Sequence, residues 1–142
     1  MYAYEISGDG GRKNYPLNLN NALFVECCYC WQWDVLSQVR MDIHEIVFSR
    51  GSVMGGSDEA QLAIHDNRNC GWVHQEHCHS MAEGGDGRQR AIMYLIRYEG
   101  YLNVCKFALE MATLSPNFRE AADINRAWET MLQRLRMVPF NK

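Results

Sequence analysis

The chain has 142 residues, of which 47% are hydrophobic and 22% charged, and a formal net charge of minus 3 at pH 7. This length suits one domain whose core needs no disulfide staples, and the composition excludes collagen, coiled-coil and wholly disordered chains. The acidic balance excludes a basic nucleic-acid coat over the whole surface but not local patches, although solvated helix faces are the simpler reading of the arginine clusters.

Residues 7–21 are rich in Gly, Asn, Ser and Asp, so residues 1–21 read as an N-terminal arm. Residues 22–26 form a short apolar run leading into Cys27-Cys28-Tyr29-Cys30. Residues 41–48 read as a strand, and 51–58 as a glycine-bearing loop. A second strand is expected at 69–74, and 75–83 as the first turns of a helix that Gly84-Gly85-Asp86-Gly87 breaks, a hinge within one domain. Beyond it the pattern is helical. Ile92, Leu95 and Ile96 share a face, and Leu102, Cys105, Leu109 and Ala112 continue an apolar stripe past Gly100. Ser115-Pro116 starts a last helix, in which Phe118, Ala121, Ala122, Ile124, Trp128, Met131, Leu132 and Leu135 recur at helical spacing until Pro139. These stripes are assigned to packing. The expected organisation is an α+β unit over 22–86 with a C-terminal helical segment, 87–142, packed on it as a single domain.

Six cysteines in such a chain need a reason other than stapling. The first residues carry no basic and apolar leader, and runs such as 91–96 are too short to span a membrane, so a reducing, cytoplasmic setting is expected, where clustered thiols bind metal more often than they pair. Cys27 and Cys30 have the two-residue gap of a knuckle that aims both sulfurs at one tetrahedral zinc. The best-placed second pair is His74 and Cys78, with His77, Cys28 or Cys70 as alternatives. Cys105 stands apart and is read as a small core hydrophobe.

The order of these pieces resembles the HNH family of endonucleases over about residues 24–84. The matching pieces are Cys27 and Cys30 as the knuckle, Asp42-Ile43-His44-Glu45-Ile46 as the strand motif, Asn69-Cys70-Gly71-Trp72-Val73-His74 as the asparagine strand, and Cys78-His79 at the helix start. In two places the chain departs from the family pattern. Glu45 stands where the family usually has a second histidine, as some phage-borne HNH-like sequences do, and His74 replaces a knuckle cysteine.

The resemblance implies a small ββα-metal unit with a structural Zn²⁺, and hydrolysis of phosphodiester bonds in DNA by a second ion, Mg²⁺ or Mn²⁺. Its ligands would be His44 and His79, with Glu83, four residues on along the same helical face, as the third. Asn69 would hold the loop that orients the base, and Glu45 would be the base, with His44 or water activated by the metal as alternatives. Arg40, Arg50 and Arg68, then Arg88 and Arg90, are the expected phosphate contacts, and the C-terminal helices offer a surface for pairing two chains. The expected location is the cytoplasm of a bacterial or phage-infected cell. The competing reading is a non-catalytic zinc module on the same scaffold that binds nucleic acid or a protein partner.

Overall fold

A computed structural model of the chain describes residues 24–36, 38–53, 56–114 and 120–137, the last three by their backbone alone. The expected arm, the Ser115-Pro116 helix start, Phe118, the Pro139 stop and the side chain of Leu135 lie outside the described residues. The elements run β1 (Phe24–Glu26), β2 (Trp33–Val35), β3 (Met41–Glu45), α1 (Asp58–Ala63), β4 (Cys70–His74), α2 (Cys78–Ala82), α3 (Gly85–Glu99), α4 (Tyr101–Leu114) and α5 (Glu120–Met137), with one 3-10 turn at Asn67–Asn69. Helices and strands are thus mixed, and the strands form two antiparallel pairs, β1 with β2 and β3 with β4.

The first pair folds around the cysteine knuckle. Trp31 N–H donates to Cys27 O at 2.9 Å and Cys27 N–H to Gln32 O at 3.0 Å, a turn that puts Trp31 at φ 61°. That conformation is unfavourable for a bulky residue. It is held by what surrounds the indole: Nε1 donates to Cys28 O at 3.0 Å, and the guanidinium groups of Arg90 and Arg97 each lie 4.7 Å from the ring. Such cation–π contacts contribute about 0.5–1 kcal/mol each at exposed sites. Arg97 and Tyr98 both donate to the buried Glu26 carboxylate, so α3 grips β1 as well as the knuckle.

The second pair joins Met41 to His74 and Glu45 to Cys70 in register. β3 ends at Glu45, short of the expected residue 48, because Asn69 captures the chain beyond it: Ile46 N–H donates to Asn69 O, and Val47 and Phe48 N–H donate to its side chain. Ile46, Val47 and Phe48 then leave the sheet for the core. The segment expected to be loop up to residue 58 gives way to α1, started by Ser57, whose hydroxyl accepts from Ala60 N–H, with Asp58 and Glu59 in its first turn. Serine followed by acidic residues is a helix-start signal that the glycines at 51, 55 and 56 obscured.

α3 is the axis of the core. Residues 91–96 are all buried, because α2, α4, α5 and β4 all pack on this helix. The expected break at 84–87 shrinks to one residue: Gly84 is the N-cap, and Gly85 to Gly87 form the first turn of α3. Gly87 has a steric reason, since a Cβ there would sit 1.7 Å from Met81 O of α2. α4 reverses another expectation. Leu102 and Leu109 are exposed while Val104, Phe107 and Met111 are buried. The helix carries two apolar stripes, and the one with the larger, aromatic payload turns inward, Phe107 meeting Phe48 edge to face. On α5, Ile124 and Ala127 are buried and Ala121 and Ala122 exposed. No described helix is long and apolar enough to cross a membrane.

Candidate functional site

β3 and β4 place two histidine clusters on either side of α2. In the first, Cys27 and Cys30 of the knuckle meet His74 at the end of β4 and Cys78 at the start of α2, with all four ligand atoms within 4.8 Å of one another. His74 Nδ1 lies 3.3 Å from Cys30 Sγ and 3.5 Å from Cys78 Sγ. Zinc bonds of 2.3 Å to sulfur and about 2.05 Å to nitrogen, at a tetrahedral angle, require about 3.5 Å between such atoms. The residues present therefore fit a metal ion, and three thiolates with one imidazole suit zinc.

The electrostatics agree with that fit. Burial opposes ionisation of Cys27, but backbone N–H groups of Cys30, His74 and Tyr29 outweigh it and hold the thiol below its usual value. Burial and then the neighbouring Cys27 and Cys30 push Cys78 up to about 12. Three thiols this close cannot all ionise in the absence of a cation, and a divalent ion removes that conflict. His74 Nε2–H donates to Asp34 Oδ2 at 2.5 Å, which leaves Nδ1 to face the sulfurs.

The alternative ligands have other roles. His77 is exposed at φ 67° and meets the Tyr29 ring edge-on. Cys28 is fully buried against the backbone of Gly71, and the Cys70 thiol donates to Ile64 O at 3.2 Å. Cys105 is half-buried at the margin of the core.

The second cluster lies where β3 faces α2. Side chains two apart on a strand share a face, so Asp42 and His44 point the same way. His79, the second residue of α2, donates from Nδ1 to Asp42 Oδ2 at 2.8 Å, and its ring meets that of His44 edge-on at 5.2 Å between centroids. Its Nε2 lies 3.7 Å from Glu83 Oε1. His44, His79 and Glu83, with Glu45, Ser49, Arg50, Gly51 and Arg88, line a cavity of about 370 Å³. Burial first, and then the facing His79, keep the His44 imidazole below its usual value against the pull of Glu83 and Glu45. At neutral pH it is uncharged and able to donate a lone pair.

Asn69 is fully buried and contacts neither cluster. Its Oδ1 accepts from Val47 and Phe48 N–H at 2.9 Å each, and its Nδ2 donates to Phe48 O and Ile64 O at 2.8 Å each. One side chain thus closes the excursion from β3 through α1 back to β4. Glu45, at the end of β3, lies 3.8 Å from both Arg50 Nε and His65 Nδ1.

The five arginines expected near phosphate divide into two groups. Arg40 and Arg50 are exposed. Arg68 is bound to Asp66 and Glu110, Arg88 to Asp123, Ile46 O and Val47 O, and Arg90 to Tyr29 O. Three residues of the site went unassigned from the sequence. Asp42 was open to discovery through the two-residue alternation of β3. Asp34 and His65 had no local signal, because their partners are set by pairings distant in the chain.

No family model matches the chain, and no curated protein or solved structure matches it significantly.

Proposed function

We propose that the protein is a metal-dependent endonuclease of the HNH type that hydrolyses phosphodiester bonds in DNA. The observation that carries this reading is the pairing of His44 on β3 with His79 on α2, beside Glu83 and Glu45 in one open cavity, behind a loop closed by Asn69. Two imidazoles and a carboxylate make a mixed donor set that suits a borderline ion such as Mn²⁺ as well as Mg²⁺. Bound by His44, His79 and Glu83, such an ion would polarise the scissile phosphate and stabilise the leaving oxygen.

The chain's own residues supply the rest. The Glu45 carboxylate takes the proton of the attacking water. Asp42 holds the Nδ1 proton of His79 and so turns Nε2 toward the cavity. Arg50, 84% exposed beside Glu45, would reach a phosphate oxygen, and Arg40 lies exposed just before β3. Arg88 frames the cavity by binding the carbonyls of Ile46 and Val47. The zinc cluster fixes the start of α2, and with it His79. The protein acts in the cytoplasm, where thiols stay reduced and able to bind zinc.

The test is plasmid nicking across Mg²⁺, Mn²⁺ and Ni²⁺ with wild type, His44→Ala and Glu45→Ala side by side. Cleavage that needs a divalent ion and is lost in His44→Ala is the expected result. Loss in His44→Ala with full activity in Glu45→Ala would move the base from Glu45 to another group. Inactivity of the wild type on duplex, branched and single-stranded DNA with every ion would overturn the nuclease and leave a zinc-binding module.

A further inference from the structure

A second hollow of about 620 Å³ opens beside the first, and the proposed chemistry does not use it. Its floor is apolar, made by the buried Val53 and Ile64, and its rim is formed by α1 and the residues that follow it. Leu62 on that rim is 71% exposed, with no core role to explain a large apolar side chain in water. His65, half-exposed, stands next to it with its Nδ1 3.8 Å from Glu45, and Gln61, whose amide donates to Gly56 O at 3.4 Å, and Asp58 add an amide and a carboxylate. The hollow shares Arg50 with the cavity of His44 and His79, and Glu45 faces both Arg50 and His65 from the boundary. The two spaces are neighbours across one cation.

We infer that this hollow is a nucleotide subsite, which takes the unpaired base next to the phosphate held at His44 and His79; the inference rests on the nuclease reading above. A flat apolar body, edge donors and acceptors, and a flanking negative charge are the features of a nucleotide. The lining answers each in turn: Leu62 and the His65 ring for the base face, Gln61 and Asp58 for its edge, and Arg50 for the phosphate between subsites. A space of this volume is of the size that takes small ligands, and a base enters it only when unstacked from its neighbours. The substrate class is therefore DNA that is single-stranded, or readily opened, at the nucleotide flanking the cut.

The experiment uses the zinc-loaded protein without added divalent ion, so that nothing is cleaved, and a thymidine trinucleotide as probe, with inorganic phosphate as the control. Binding is followed by affinity and by NMR shifts of the Leu62 methyl groups and the His65 ring in wild type, Leu62→Ala and His65→Ala. The expected result is that the trinucleotide shifts both residues, phosphate leaves Leu62 unmoved, and His65→Ala weakens binding roughly tenfold, as removing a base-stacking ring does, with a smaller loss in Leu62→Ala. Both residues are exposed, so zinc content and helicity are expected to stay at wild-type values in the variants. Absence of binding, binding that leaves residues 58–65 unshifted, or equal affinity in all three proteins would overturn the subsite. Failure of the nuclease reading alone looks different: the trinucleotide still binds here, while no ion supports cleavage. Failure of the subsite alone leaves metal-dependent cleavage intact, with the wild-type rate in Leu62→Ala.

Discussion

Asp42 and His79 are joined by a 2.8 Å hydrogen bond between a strand and a helix, and that bond decides which nitrogen of the imidazole faces His44. With Nδ1 protonated and donating to the carboxylate, Nε2 carries the lone pair. Removing the carboxylate in Asp42→Ala is expected to weaken Mn²⁺ binding by about 10- to 100-fold, the usual cost of losing such a partner. Titration calorimetry on the zinc-loaded protein measures it. Unchanged Mn²⁺ affinity in a folded Asp42→Ala protein would show that His79 is not oriented in this way.

The cluster of Cys27, Cys30, His74 and Cys78 uses the same device with the ring reversed, Asp34 receiving Nε2–H while Nδ1 faces the thiols. One zinc per chain is expected by metal analysis, and chelation should unfold the protein, since ligand assembly and folding are coupled. Asp34→Ala is expected to bind zinc about 10- to 100-fold more weakly with the four ligands intact. A competition titration against a coloured chelator reads this directly, and equal affinity in the two proteins would remove Asp34 from the site.

Asn69 is a fully buried polar residue whose whole side-chain amide is engaged. In Asn69→Ala three buried backbone groups, on Val47 and Phe48, lose their Asn69 partner at once, and Ile64 O keeps only the Cys70 thiol. One buried group left unpaired costs about 1–3 kcal/mol, so a loss of at least about 3 kcal/mol is expected in urea denaturation. A loss under about 1 kcal/mol would mean that the loop closes without this side chain.

Asp66 links pH to stability away from the metal ligands. Burial alone would raise its carboxyl, but hydrogen bonds from the Arg68 side chain and backbone outweigh burial and hold it below its usual value. A folded-state value below the unfolded one stabilises the fold above the unfolded pKa of about 3.9, and the benefit is lost as pH falls through the folded value. The gap in urea midpoint between wild type and Asp66→Asn is therefore expected to be level from pH 8 to about 5 and to close below about 4. Both proteins carry the same zinc ligands, so their shared loss of metal in acid cancels in the difference. A gap that closes near pH 6 would assign it to another group.

What could be seen in the sequence was what neighbouring residues encode. Cys27 with Cys30, and His74 with Cys78, sit at spacings that a turn or a helix start converts directly into a ligand set, and these four do converge. A strand beginning at Met41 and a helix within 75–83 follow from local pattern in the same way, although the strand stops at Glu45, not 48, and the helix runs only over Cys78–Ala82. The rest depends on where distant segments land. Leu102 and Leu109 have the spacing of a core stripe, but α4 carries a second stripe with Phe107, and only its packing against Phe48 decides which one turns inward. Arg88 looks like a free cation until Asp123, on α5, is folded against it. Asp34 reaches His74 only through a pairing of knuckle and sheet that no local spacing records.

The missing side chain at Gly87 ties the core to the chemistry. Because the first turn of α3 rests on the carbonyl of Met81, the distance between α3 and α2 is set by direct backbone contact, with no side chain to absorb an error. His79 rides on α2 and His44 on the sheet, so the gap between the two rings is in effect a gauge of how deeply α2 is seated. Gly87→Ala would lift α2 by the thickness of a methyl group. His79, on that helix, and Glu83, just past its end, would shift relative to His44 on the sheet. A substitution that touches neither cluster would then disturb both, because the helix that Cys78 opens is the one that carries His79.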